Sequence, residues 1–380
     1  MKLLWFTWKD LSHPQAGGAE RVNEEIAKRL ARDGHEVIML VAGFPGAGEE
    51  DIRNGYKIVR LGNCYTVYWH AYRYYKNYLQ GWADLVIDEM NTIPFFCKYY
   101  VTERNILFVH QLCREIWFYQ MPYPVNIAGY LFEPLYLRLL SDRDVITVSE
   151  STRRDLARYG FNTNNIQIIS EGITLNPVEH LAQLSKFPDP TLLSLGAIRP
   201  MKRTVDQIKA FEIAKRKIPD LKLIIAGTAV GRYGQKVLGL IRSSPNAKDI
   251  QYAGAVNEEE KARLMAKSHL LLVTSIKEGW GLVVTEANSQ GTPAIVYDVD
   301  GLRDSVRNKQ TGYVTQKNTP NLLADAVLLS YSNTQAYENL RSQAHSWSRK
   351  INFNQCYTDF LMAIKDKFNI TNTAATVNKC

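Results

Sequence analysis

The sequence has little of what marks the more specialised protein classes. Its five cysteines, Cys64, Cys97, Cys113, Cys356 and Cys380, are odd in number and scattered, with no Cys-x-x-Cys pair. That argues against a disulfide framework and fits reduced thiols in a cytosolic setting. No apolar run reaches the roughly eighteen residues of a membrane span. The opening Met-Lys-Leu-Leu-Trp-Phe-Thr-Trp run is broken by Lys9 and Asp10, too early for a signal-peptide core, and reads better as a first strand. No basic run and no nucleic-acid motif is present. The excess of 46 Lys+Arg over 38 Asp+Glu leaves a diffuse +8, which suits a phosphate-bearing ligand or an anionic membrane surface. Asn369-Ile370-Thr371 matches a glycosylation acceptor but carries no weight without a secretory signal.

What is present is an ordinary globular composition, 46% hydrophobic, over 380 residues. That length is too great for one compact core and predicts two domains. Continuous apolar runs alternate with amphipathic stretches, the pattern of parallel sheets covered on both faces. Lys2–Thr7, Glu36–Ala42, Tyr56–Leu61, Asp84–Asp88, Arg104–Val109, Asp144–Ser149 and Asn165–Ser170 read as strands of a first domain. Lys186-Phe187-Pro188-Asp189-Pro190 reads as a linker. The alternation then starts again with Thr191–Leu195, Leu221–Ala226, Ile250–Ala253, Leu270–Thr274 and Pro293–Tyr297. The expected domains are 1–186 and 187–351. Helices at Thr334–Trp347 and Phe353–Phe368 are expected to cross back onto the first domain, with the brace at about 352–368. Residues 369–380 are polar and expected to be disordered.

The chemistry concentrates in Glu278-Gly279-Trp280-Gly281-Leu282-Val283-Val284-Thr285-Glu286. A strand, a Gly-rich turn and a helix from about Leu282 to Gln290 make an anion site, because the first turn of a helix presents unpaired N–H groups and the positive end of its dipole. Glu278 and Glu286 accept hydrogen bonds and repel phosphate, so they belong on hydroxyl groups either side of it. Hydroxyls, a diphosphate and further hydroxyls describe a nucleotide sugar. Other candidates lie at predicted carboxyl ends of strands, where doubly wound sheets bind ligands. They are Gly17-Gly18 before the first helix, His110, Arg199 and Lys202 in the loop after Thr191–Leu195, Gly227, and Val256 in Gly254-Ala255-Val256.

The Glu-seven-residues-Glu stretch, followed by Gly291-Thr292-Pro293, resembles the signature of the retaining glycosyltransferases of family four. The resemblance covers nearly the whole chain. It implies an α/β fold of the GT-B class, two facing doubly wound Rossmann-like domains with an interdomain cleft. The first domain would take the acceptor and the second the nucleotide sugar. Gly17-Gly18-Ala19-Glu20-Arg21 matches the family loop that faces the donor diphosphate, and Lys202 matches its diphosphate lysine. His110 matches the histidine near the transferred sugar or acceptor. The usual Arg directly after the Gly is replaced by Ala197, with Arg199 two positions on. Glu171-Gly172-Ile173 departs from the family's Asn-Gly-Val-Asp, so no role is carried to Glu171. Gly227, Val256, Gly281, Leu282 and Glu286 are expected on the nucleotide.

The implied activity is same-face transfer of a sugar from a nucleoside-diphosphate sugar to an acceptor hydroxyl, on a glycan, a lipid-linked glycan or a small molecule. It would need no metal and no cofactor beyond the donor. The metal-like patterns, His110-x-x-Cys113 and Asp298-Val299-Asp300, lack a second ligand pair or the right fold. A sugar-nucleotide epimerase and a non-catalytic sugar-nucleotide sensor are the alternatives. Tyr65, Tyr68, Trp69, Tyr72, Tyr75 and Leu79 recur at helical spacing among His70, Arg73 and Lys76. They read as a core stripe with a solvated basic edge or, as second choice, a peripheral membrane contact.

Overall fold

The computed structural model describes residues 1–368, with side chains to residue 365. The expected disordered tail at 369–380 lies outside the described residues. The chain forms two compact units. Unit 1 comprises residues 1–113, 129–172 and the segment from Phe353, and unit 2 comprises 114–128 and 173–352.

Unit 1 is built from β1 (Lys2–Phe6), α1 (Gly18–Arg32), β2 (Glu36–Val41), β3 (Glu50–Arg53), β4 (Tyr56–Arg60), α2 (Val67–Tyr74), β5 (Leu85–Met90) and β6 (Asn105–Val109). After α3 (Trp117–Gln120), which groups with unit 2, come α4 (Val125–Leu139), β7 (Val145–Thr147), α5 (Glu150–Ala157) and β8 (Ile166–Ile168). The eight strands run in the order β3-β4-β2-β1-β5-β6-β7-β8. All neighbours are parallel except β3 on β4, joined through an Asn54-Gly55 turn. β1 is apolar and buried from Leu3 to Phe6 because it is sandwiched on both faces. Trp5 packs in one core with Ile26, Leu30 and Phe108, and Leu4 and Phe6 in another with Val67, Ala71 and Tyr75.

Unit 2 contains β9 (Thr191–Leu195), α6 (Thr204–Lys215), β10 (Lys222–Ala226), α7 (Gly231–Ser243), β11 (Ile250–Gly254), α8 (Glu258–Lys267), β12 (Leu270–Val273), α9 (Leu282–Ser289), β13 (Ala294–Val296), α10 (Leu302–Ser305), β14 (Gly312–Val314), α11 (Pro320–Tyr331) and α12 (Thr334–Ser348). Its six strands are all parallel, in the order β11-β10-β9-β12-β13-β14. In each sheet the strand order reverses beside the first strand, between β1 and β5 and between β9 and β12. Such reversals open crevices at the carboxyl ends of the strands.

The boundary between the units falls after Gly172 rather than at 186. Residues 173–186 are bonded to unit 2: Val178 N–H donates to Ser289 O at 3.0 Å, and the Lys186 ammonium donates to Ser268 O and Gly291 O at 2.7 and 2.8 Å. Of the two helices expected to cross back, only α13 (Phe353–Phe368) does so. Phe360 stacks on Trp5 at 6.0 Å, and Asp359 accepts from the Ser170 amide at 3.0 Å. α12 stays in unit 2, where the Arg341 guanidinium donates to Leu181 O at 2.9 Å and His345 Nε2 lies 2.8 Å from Val178 O. The expected 65–79 stripe is divided. Val67, Ala71, Tyr75 and Leu79 form the buried line, while Tyr65, Trp69 and Tyr78 point outward.

Candidate functional site

In unit 2 the loops after β9 and β12 flank the strand-order reversal. The β9 loop carries Gly196, Arg199 and Lys202; the β12 loop carries Ser275, Glu278 and Gly281. Thr274 Oγ1 donates to Lys202 O at 2.7 Å and ties the two loops together. The Lys202 ammonium bonds the Glu278 carboxylate, and the Ser275 hydroxyl donates to the same oxygen at 2.5 Å. Burial alone would raise the Glu278 carboxyl. Lys202, the Ser275 hydroxyl and the Arg199 charge together override it and hold the group below its ordinary range. Glu278 is therefore an ionised acceptor beside two cations.

Two glycines set this geometry. Gly301 has φ +77°, and a Cβ there would fall 2.2 Å from Glu278 O. Only glycine lets the Asp300 carbonyl accept from the Glu278 amide at 3.2 Å. Gly227 has φ +144°, and a Cβ would fall 2.0 Å from Gly196 O. Its lack of a side chain thus supports the β9 loop by direct backbone packing, a role beyond the expected nucleoside wall.

α9 begins at Leu282 behind Gly281, as expected, so its N-terminus directly follows the β12 loop. Trp280 Nε1 donates to Thr285 Oγ1 at 3.0 Å, closing the turn onto the helix. Glu286 lies in the second turn, where Lys261 of α8 donates to it at 2.9 Å. Burial would lower the Lys261 ammonium, but Glu286 and Glu258 hold it above its ordinary value. Val256 sits between β11 and α8, half-buried against the core that carries α9. Lys261 and Ser275 were not among the sequence candidates. Ser275 is signalled only by its closeness to Glu278 along the chain, and Lys261 by nothing local.

Asp298 and Asp300 are engaged by cations. Arg303 donates to them at 2.5 and 3.1 Å, and Lys277 lies 3.2 Å from Asp300. Among the described residues no group of His, Cys, Asp and Glu is arranged to hold a metal ion.

In unit 1, Gly17 and Gly18 are exposed at the start of α1, at the carboxyl end of β1. The Gly17 amide donates to the Glu20 carboxylate at 2.7 Å, and Lys9 lies 3.3 Å from the same group. Part of the helix's attraction for anions is thus met by its own side chain. His110 follows β6 and is buried, its ring 4.4 Å from that of Phe108. Its Nε2 faces Glu89 at 3.6 Å and its Nδ1 faces Glu171 at 4.0 Å. Glu89 is buried at the end of β5 and accepts from Trp5 Nε1 at 2.8 Å, Asn23 at 2.6 Å and Asn91 at 3.0 Å. Burial would lower the imidazole, yet Glu171 and Glu89 raise it above its ordinary value. Glu171, which the family pattern left without a role, becomes a partner of the histidine.

The model for glycosyl transferases group 1 matches residues 179–347, and that for glycosyltransferase family 4 matches residues 16–176. The chain belongs to glycosyltransferase family four. This glycosyltransferase is similar to the N-acetyl-alpha-D-glucosaminyl L-malate synthase of Bacillus anthracis, 23% identical over 87% of this chain and 89% of that one. It is also similar to the O-antigen chain mannosyltransferase B of Escherichia coli, 23% identical over 96% and 100%. Among solved structures, the sucrose-phosphate synthase of Thermosynechococcus elongatus superposes with a TM-score of 0.79 at 18% identity, over 97% of this chain and 100% of that one. An Anabaena protein solved in complex with UDP and glucose gives 0.70 at 17% identity, over 96% and 100%. The fold class is GT-B.

Proposed function

We propose that this glycosyltransferase uses a nucleoside-diphosphate sugar and retains the anomeric configuration, without a metal. The observation that carries the reading is the convergence of Lys202, Arg199, Glu278 and the α9 N-terminus where the strand order of unit 2 reverses. Two cations and a helix dipole suit a diphosphate leaving group. An ionised Glu278 suits the sugar hydroxyls, and Glu286 the ribose hydroxyls. UDP in a structural neighbour supports a uridine nucleotide as the first donor to try.

In this reading the acceptor hydroxyl attacks the anomeric carbon on the face from which the diphosphate departs. The C–O bond to the diphosphate breaks as the new glycosidic bond forms, and a departing phosphate oxygen takes the hydroxyl proton. Lys202 and Arg199 stabilise the charge that accumulates on the diphosphate. Unit 1 supplies the acceptor side, with His110 buried between Glu89 and Glu171, which raise its pKa above the ordinary value. The acceptor is a glycan, a lipid-linked glycan or a small molecule.

The test is turnover of Lys202→Ala with a panel of donors, each first scored by its rise in melting temperature. The expected loss is about 2–3 kcal/mol of transition-state stabilisation, as for removal of one oxyanion donor. Chelator should leave the wild-type rate unchanged. Normal turnover by a folded Lys202→Ala protein, or metal-reversible inhibition by chelator, would count against the reading.

A further inference from the structure

The carboxyl edge of the unit 1 sheet carries a second concavity, apart from the crevice between β1 and β5. It lies at the ends of β2 and β4, between the loops 43–49 and 61–63, with a volume of about 320 Å³. The two loops close on each other through backbone. A Cβ on Gly43 would fall 2.8 Å from Gly62 O, and one on Gly62, at φ +59°, would fall 2.4 Å from Thr66 Oγ1. Glycine at both positions lets the loops meet without side chains in the space they enclose.

The groups around this pocket suit a neutral ligand rich in hydroxyls. Arg60 ends β4 and is buried. Three of its five N–H donors are met, Nε by Asp10 at 2.8 Å, Nη1 by Gly48 O at 3.1 Å and Nη2 by Asp51 at 3.4 Å, which leaves two for a ligand. Asn63 accepts from the Tyr65 and Thr66 amides through Oδ1 at 2.9 and 3.1 Å, so its side chain is fixed with Nδ2 left to donate. The exposed Glu49 carboxylate adds an acceptor. Phe44 forms an apolar wall, its ring 5.2 Å from that of His13 and 5.6 Å from the Arg60 guanidinium. Placed donors, an acceptor and an aromatic wall match the hydroxyls and C–H faces of a sugar ring. Charge argues against an anion. Arg60 is already answered by Asp10 and Asp51, and Glu49 is the other charged residue lining the pocket, so a phosphate would find no unpaired cation.

We propose that this pocket binds a non-reacting sugar residue of the acceptor, and that the acceptor is a neutral oligosaccharide chain. The sheet order sets the spacing. β4 lies two strands from β1. Adjacent strands are about 4.8 Å apart, so the pocket stands roughly 10 Å from the crevice at the end of β1, farther than a single sugar ring reaches. A chain seated in the pocket runs across the strand ends and presents its terminal hydroxyl in the crevice. Binding of the remote ring then positions the hydroxyl that attacks. The inference rests on the reading of unit 1 as the acceptor side and names the class of acceptor it takes.

The experiment titrates the full chain, without donor, with neutral hexoses and N-acetylhexosamines and with their di-, tri- and tetrasaccharides, followed by saturation-transfer NMR. At least one oligosaccharide should bind about tenfold or more tighter than its monosaccharide, and inorganic phosphate should not compete. Gly48→Leu fills the pocket without backbone strain, since a Cβ there meets only Glu50 O at 3.6 Å. Asn63→Asp keeps the acceptor that the loop amides need and removes the donor. Each should weaken the oligosaccharide about tenfold, as for loss of one good contact, with melting temperature unchanged. In transfer assays kcat/KM should rise with acceptor length for wild type and stay flat for Gly48→Leu, while hydrolysis of donor without acceptor stays at the wild-type rate. Lys202→Ala should stop transfer and leave oligosaccharide binding unchanged. Failure of every oligosaccharide to bind overturns the proposal, as do equal affinities for monosaccharides and oligosaccharides, competition by phosphate, or undiminished binding by Gly48→Leu. Oligosaccharide binding that Gly48→Leu removes, in a wild-type chain that transfers no sugar, would uphold the pocket and count against the transfer reading alone.

Discussion

Glu278 and Glu286 share one stretch of chain, yet each is held by a lysine from a different element. Lys202 comes from the loop after β9, and Lys261 from α8. In the proposed reading, the loop position of Glu278 would carry it past a diphosphate toward the sugar, and the second-turn position of Glu286 would set it back toward the ribose. A hydrogen bond to a charged acceptor is worth roughly 1.5–3 kcal/mol. Glu278→Ala should weaken the complete donor and slow transfer about tenfold to a hundredfold. It should leave affinity for the bare nucleoside diphosphate nearly unchanged. Glu286→Ala should weaken both ligands. Calorimetric titration of each variant with each ligand gives the answer, and the opposite pattern would mean that the donor lies the other way round. Lys202 and Glu278 were legible because their spacing within one loop each carries the information. Lys261, Glu89 and Glu171 were not, because each meets its partner only after distant strands and helices have packed.

At the scale of elements, the loops after β9 and β12 are rigid for reasons that lie outside them. Gly301 and Gly227 admit the backbone of neighbouring loops where any side chain would clash. The entry to β12 has its own constraint. His269 accepts the Thr191 amide through Nδ1 at 3.1 Å, and burial, with Lys186 and Arg341 nearby, lowers its pKa from 6.5 to about 4. The unfolded chain binds this proton near 6.5 while the folded one resists it until about 4. Stability should therefore fall as pH drops through that window, by at most on the order of 3 kcal/mol from this group. Urea midpoints across the window should show the decline, and His269→Gln should flatten it; an equally steep decline in the variant would exclude His269 as its source. Most elements were legible from apolar runs and helical spacing, including α9, expected at Leu282–Gln290 and found at Leu282–Ser289. The short edge strands β3 and β14 were not. Edge strands need only one apolar side, so Glu50–Arg53 and Gly312–Val314 carry too weak a pattern. The exposed face of α4 was hidden for the opposite reason: its apolar residues look like core until the packing shows which side faces out.

At the scale of the whole molecule, the chain completes unit 1 only with α13. Phe360 is fully buried against Trp5, so Phe360→Ala should destabilise unit 1 by about 3–5 kcal/mol. Calorimetry should show the transition that nucleotide does not shift moving down, while the nucleotide-stabilised one stays; a uniform shift of both would mean that the two units unfold as one. The sequence alone determined the two α/β units, the membership in family four, and the pairing of a glycine-rich turn at a helix start with two flanking carboxylates. These are written locally, in periodicity and in a motif whose residues are neighbours along the chain. The tertiary structure decided where the units divide, that α12 stays with unit 2 while α13 returns to unit 1, which partners hold Glu286 and His110, and which side of α4 is left bare. Each of these depends on contacts between residues far apart in sequence, whose energies come into being only when the sheets have formed.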